Sequence, residues 1–190
     1  MRHTYDTNRL DIITPVKLEA DWPTKEDLVE TLRYQKEHYG IRRFALGAPA
    51  IGWKAVGVPP MSHFEKLARL FAEVRDEVRK DGISCGYLNM LTLRNGSRED
   101  FGKFVCADGS VSEIASCPLD PVFQKVFAES NARFAAIAHP DFIMFEDDYS
   151  VNAQNWGGLG CFCQYHMKEF NRRMGREYTR EELVEIGRAH

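Results

Sequence analysis

A chain of 190 residues that is 44% hydrophobic and 28% charged has enough apolar material for one soluble globular domain with its own core, without disulfide staples. Its formal net charge of -3, with basic residues dispersed among acids, supplies no basic field and makes nucleic acid a poor partner. No apolar run approaches the length of a membrane span, and Met1 to Asp6 lack the apolar core of a signal peptide, so a cytoplasmic protein without a membrane partner is expected.

Residues 9–16 read as a first strand, with Pro15 at its end where no ladder donor is needed. Thr24 suits the cap of a helix whose first turn holds Glu26 and Asp27 and whose apolar stripe runs through Leu28 and Leu32 to a stop at Gly40. Arg43 to Ala48 is the second strand. Ser62 followed three residues later by Glu65 predicts a capping box, and Phe64, Leu67, Ala68, Phe71, Val74 and Val78 give that helix one apolar face up to Asp81-Gly82. Ile83 to Leu93 supplies a third strand. Residues 94–117 read as an excursion with a small hairpin around Asp108-Gly109. Pro118 suits the first position of a helix carried by Val122, Phe123, Val126, Phe127, Phe134 and Ile137. Near the end, Tyr165, Phe170 and Met174 line a helix closed by Gly175. Thr179 and Glu182 form a capping box for a last one, stopped by Gly187.

Between these helices, Phe142, Ile143, Met144 and Phe145 predict a strand buried on both faces that runs into three acids, Glu146, Asp147 and Asp148. In α/β folds the carboxyl ends of parallel strands floor the active site, which suits catalytic work for these acids; a solvated loop start suits them too. Alternation along a strand turns Glu146 and Asp148 to one side and Asp147 to the other. Like charge on its neighbours keeps a proton on Asp148 for general acid work. Tyr149 and Trp156 offer aromatic faces to a sugar ring, with Glu146 as a further contact, although Trp156, Trp53 and Tyr149 serve equally as packing.

Strand and helix alternate four times across residues 1–190 without a linker or repeat, which means an α/β fold with a parallel sheet. A doubly wound sheet is one solution, but Thr14-Pro15-Val16-Lys17 stands where a phosphate-cradling glycine pattern belongs. The other is a (β/α) barrel. A complete TIM barrel takes about 250 residues, so about four β/α units amount to half of one, a single domain with loops. Its open sides, Leu10 to Ile13 and Phe142 to Phe145, predict a homo-oligomer, most simply a two-fold dimer.

Five cysteines, an odd number, argue against a disulfide scaffold and leave metal binding or plain burial. Cys117-Pro118-Leu119-Asp120-Pro121, then Phe145-Glu146-Asp147-Asp148-Tyr149, then Cys161-x-Cys163-x-x-His166 followed by Phe170, resembles the first half of the catalytic barrel of glycoside hydrolase family 42 β-galactosidases, across residues 9–188. The resemblance implies a carbohydrate substrate. It sets Asp147 and Asp148 on the Asn-Glu pair that ends the family's fourth strand, where the Glu is the general acid/base. Asp148 is one methylene shorter than that Glu, and Asp147 replaces an amide that bonds the sugar. The resemblance also implies a structural zinc site. Cys117, Cys161 and Cys163 match the family's cysteines, and His166 takes the place of the last; the plainer alternative is that all four are packing residues. Cys85 and Cys106 read as core or loop thiols, Cys106 being an outside candidate ligand.

A retaining glycosidase needs two carboxyl groups about 5 to 5.5 Å apart. The family's nucleophile comes from a seventh strand, and Glu169, Glu177, Glu181, Glu182 and Glu185 all fall on helices here, so the chain reads as the part of such an enzyme that lacks the second carboxylate and the barrel's other half. Two other classes remain open: a sugar isomerase or epimerase holding a divalent cation at Glu146, Asp147 and Asp148, and a module that binds carbohydrate or partners without catalysis.

Overall fold

The computed structural model describes residues 12–19, 22–49, 58–93, 98–145, 152–153 and 158–188. In chain order its elements are β1 (Ile13–Lys17), α1 (Lys25–Tyr39), β2 (Arg43–Ala48), α2 (Met61–Arg79), β3 (Ser84–Asn89), β4 (Lys103–Val105), β5 (Val111–Ser116), α3 (Pro121–Ala138), β6 (Ile143–Phe145), β7 (Asn152–Ala153), β8 (Gly158–Leu159), α4 (Gln164–Met174) and α5 (Arg180–Arg188). They sort into two compact units, the first comprising Met1–Ala50, Ser62–Asn89 and Arg133–Phe145, the second Ile51–Met61, Met90–Ala132 and Glu146–His190.

The first unit is built on a four-stranded parallel sheet in the order β1-β2-β3-β6. Each crossover steps to the next strand in the same direction, without the reversal of order that defines a doubly wound sheet. Alternate residues Phe44, Leu46 and Ala48 of β2 and Cys85 and Tyr87 of β3 turn to one face. There they meet Leu28, Val29 and Leu32 of α1, Leu67, Ala68, Phe71, Val74 and Val78 of α2, and Phe134 and Ala138 at the end of α3. Phe134 stacks on Tyr87 with centroids 3.8 Å apart. Each such ring or branched side chain contributes about 1.5–3 kcal/mol by leaving water, which makes this cluster the core that sets the sheet. On the opposite face Pro15, Ala45 and Gly86 share a row, and the Phe142 ring lies so close over Gly86 that a Cβ there would overlap it. The Arg43 guanidinium stands 4.9 Å from the centre of the same ring.

Local chemistry sets the helix ends. Thr24 accepts from the Asp27 amide at 3.2 Å, and Asp27 accepts from the Thr24 amide at 2.9 Å, a reciprocal box that opens α1; Gly40, at φ 72°, closes it. The box expected at Ser62 and Glu65 does not form. The helix already begins at Met61 behind Pro59-Pro60, and the Glu65 carboxylate pairs with Arg133 at 2.7 Å instead. Pro118 lies ahead of α3, which starts at Pro121 behind the capping side chain of Asp120. Pro15 sits mid-strand in β1 rather than at its end; among the described residues β1 pairs with β2 alone, and an edge position tolerates the missing donor.

β6 also departs from expectation. Ile143, Met144 and Phe145 are 44%, 43% and 52% exposed where the apolar run predicts burial on both faces. Among the described residues β6 bonds to β3 and ends the four-stranded sheet, which gives it the place of an edge strand.

In the second unit β4 and β5 form an antiparallel hairpin around Asp108-Gly109. Asp108 accepts from the amide and hydroxyl of Ser110, at 2.9 and 2.7 Å, and Gly109 takes φ 87°. Phe101 and Phe123 pack edge to face in a cluster with Leu93. Gly175 caps α4, but Phe170 and Met174 are exposed, so they line no buried stripe. The Thr179–Glu182 box opens α5, and the helix passes through Gly187 to Arg188. Among the described residues, no helix is long and apolar enough to cross a membrane.

Candidate metal centre

Two segments of the second unit converge on one point. Cys117 follows β5, and its amide donates to the Gly102 carbonyl at 2.7 Å. The turn it enters is held by Asp120, a fully buried carboxylate. Asp120 accepts from the amides of Gly102 at 2.9 Å, Val122 at 3.2 Å and Phe123 at 3.1 Å, so one side chain caps α3 and ties it to the residue that enters β4. The other segment is the loop before α4. The Phe162 amide donates to the Val105 carbonyl at 2.8 Å, Cys163 is the capping residue of α4, and His166 lies in its first turn. The Tyr165 ring covers Gly102, where a Cβ would meet it at 2.6 Å. Burial first, and the Asp120 carboxylate second, push the Tyr165 phenol up.

The result is a compact donor set. Cys117 Sγ lies 3.2 Å from Cys163 Sγ and 3.2 Å from His166 Nδ1, and Cys163 Sγ lies 3.5 Å from that same nitrogen. With Cys161 included, all four donor atoms fall within 4.8 Å of one another. A tetrahedral ion with sulfur bonds of about 2.3 Å holds its sulfurs roughly 3.8 Å apart, so these spacings fit one ion. All five cysteines are reduced, and Cys117 and Cys163 are buried while Cys161 is half-buried. The Leu119 amide donates to Cys117 Sγ at 3.4 Å, the kind of outer contact that orients a thiolate ligand.

Electrostatics in the cluster favour separated charge. Hydrogen bonds with Cys117 and Cys161, then with His166, pull the Cys163 thiol down towards thiolate. Bonds to Cys161 and Cys163, then burial, push the Cys117 thiol up. Bonds to the Cys161 and Cys163 sulfurs raise His166 to about 9. A bound metal ion would replace the protons these groups share, since coordination requires thiolates and neutral imidazole. Three sulfurs and one ring nitrogen are a donor set for an ion such as zinc, and four protein donors leave no open position for chemistry.

Among the described residues this is the one group of three or more potential ligands. Cys106 is not part of it; it packs with Phe104 and Ala115 in a small cluster that Cys161 borders. Cys85 is a core thiol, pushed up to about 12 by burial and then by Asp141. Glu146, Asp147, Asp148, Tyr149 and Trp156, with Trp53, lie outside the described residues. Sequence reasoning missed Asp120, although an acid immediately before a proline is itself a helix-start signal. No protein-family model, curated protein or solved structure matches the chain.

Proposed function

We propose that the chain is a zinc-stapled domain of the (β/α)-barrel kind from a carbohydrate-active enzyme resembling glycoside hydrolase family 42. The observation that carries this reading is the meeting of Cys117 with Cys161, Cys163 and His166, donors up to 49 residues apart. The family resemblance implies that donor set, and helix or strand periodicity alone supplies no reason for it. The one-directional strand order β1-β2-β3-β6 supports it as well, since barrel strands follow one another around the sheet. Zinc held by four protein donors pins the loop before α4 to the β4–β5 hairpin and takes no part in bond breaking.

In this reading Asp148 donates a proton to the leaving oxygen of a glycoside, and Asp147, Glu146, Tyr149 and Trp156 hold the sugar. The test compares alkyl glycosides with activated aryl glycosides for the complete barrel, in which the second carboxylate is supplied, and for its Asp148→Asn variant. Turnover of the alkyl substrates should fall by about 10² to 10⁴, and far less for the aryl ones, whose leaving groups need no proton. Equal losses on both, or neither turnover nor calorimetric binding of any sugar, contradict the carbohydrate reading whatever the zinc content.

A further inference from the structure

We propose that the metal centre is convertible: a hydroperoxide oxidises Cys117 and Cys163 to a disulfide, releases the ion, and leaves the same two segments joined by a covalent bond. This rests on the zinc reading for the ion, and the pair of sulfurs is chosen for its direct contact and for the two segments it joins. Cys117 Sγ and Cys163 Sγ are 3.2 Å apart, so they need to close by roughly an ångström to bond. Both backbones are tied in place. The Cys117 amide is bonded to Gly102, and the Cys163 carbonyl accepts from Met167 at 2.9 Å in the first turn of α4. Cys163 also sits at the N-terminus of α4, with the His166 ring 3.5 Å from its sulfur, so its position is fixed by the helix start. Cys161 is the more open sulfur, but it shares a three-residue segment with Cys163, so a bond between those two joins nothing that the chain does not already join.

The chemistry balances with one peroxide as the oxidant. The Cys163 thiolate attacks a peroxide oxygen; the O–O bond breaks, a sulfenic acid forms, and hydroxide leaves to take up a proton as water. The Cys117 thiolate then attacks the sulfenyl sulfur, the S–S bond forms, the S–O bond breaks, and a second hydroxide leaves to become water. Two thiolates lose two electrons, one peroxide gains them, and two protons are consumed. The ion, left with Cys161 and His166, passes to solvent. Because the bond spans 46 residues, it restrains the unfolded chain as the metal did.

The experiment titrates hydrogen peroxide into the full chain while a chromophoric chelator reads released zinc, followed by chymotryptic mapping without reductant. Cleavage after Phe162 separates Cys161 from Cys163, so the pairing is unambiguous. The expected result is one zinc released per two thiols lost, a cross-linked peptide joining Cys117 to Cys163, and helical signal that survives excess chelator until a dithiol is added. A cross-link at Cys161, oxidised thiols without a cross-link, or helix loss on oxidation overturns the proposal. Zinc content before peroxide tests the metal reading separately. In a reduced, zinc-free preparation the same cross-link is expected, and its absence there also overturns the inference.

Discussion

Asp120 binds no metal, yet the donor set depends on it. Its carboxylate satisfies three backbone amides in a site without water access, so Asp120→Ala removes a helix cap and strands buried donors. The expected cost is about 2–4 kcal/mol in urea unfolding. Zinc affinity, read by chelator competition, should fall by about 10- to 100-fold because the turn that carries Cys117 loosens. An unchanged affinity would show that the turn holds its shape without the cap. Asp141 is one source of pH dependence in the first unit. Burial works to raise its pKa, but the Cys85 amide, the Ser84 hydroxyl and Arg79 outweigh that and hold it below the ordinary carboxylate range. A depressed folded-state pKa adds stability above the unfolded value of about 3.9 and loses it as pH falls through the folded one. Asp141→Asn should therefore cost about 1 kcal/mol at neutral pH and flatten the acid limb of the stability profile below about pH 5; an unaltered limb would assign that limb to other acids. At this scale the sequence was legible wherever spacing encodes geometry, as in Cys161-x-Cys163-x-x-His166. It was silent on Arg79 and Asp141, partners 62 residues apart that only the folded sheet brings together.

Among the elements, β3 has to accept a ring against its backbone. Gly86→Ala drives a methyl group into Phe142, with an expected loss of about 1–3 kcal/mol in urea or thermal unfolding. Combined with Phe142→Ala, the two changes should cost less than their sum by more than about 0.5 kcal/mol, because the second removes the clash made by the first. Additive costs would mean that β6 shifts freely to relieve the contact. α1 and β2 have the limits read from sequence because Thr24, Gly40 and the segment Arg43–Ala48 carry their own start and stop signals. The start of α2 and the exposure of β6 were not legible in the same way. Ser62 and Glu65 satisfy a capping motif, but Arg133, a remote residue, takes the carboxylate. An apolar run such as Phe142 to Phe145 reports that a strand is hydrophobic, not how many neighbours it finds.

At the scale of the whole molecule, alternation of strands and helices made the parallel sheet legible, and the polar excursion before α3 made the hairpin legible. How β6 is covered was not, because strand count and pairing are properties of the assembled sheet. An exposed apolar edge strand favours pairing with a second chain. A homodimer is expected in light scattering at micromolar concentration, weakened to monomer by Met144→Lys on that strand; a stable wild-type monomer that binds no apolar dye would show the strand covered within one chain. The metal centre is tested most directly by zinc-edge X-ray absorption on protein purified without chelator. The predicted result is close to one equivalent of zinc with three sulfurs at about 2.3 Å and one nitrogen at about 2.0–2.1 Å. A shell of oxygen and nitrogen alone, or less than about a tenth of an equivalent of bound metal, would contradict it.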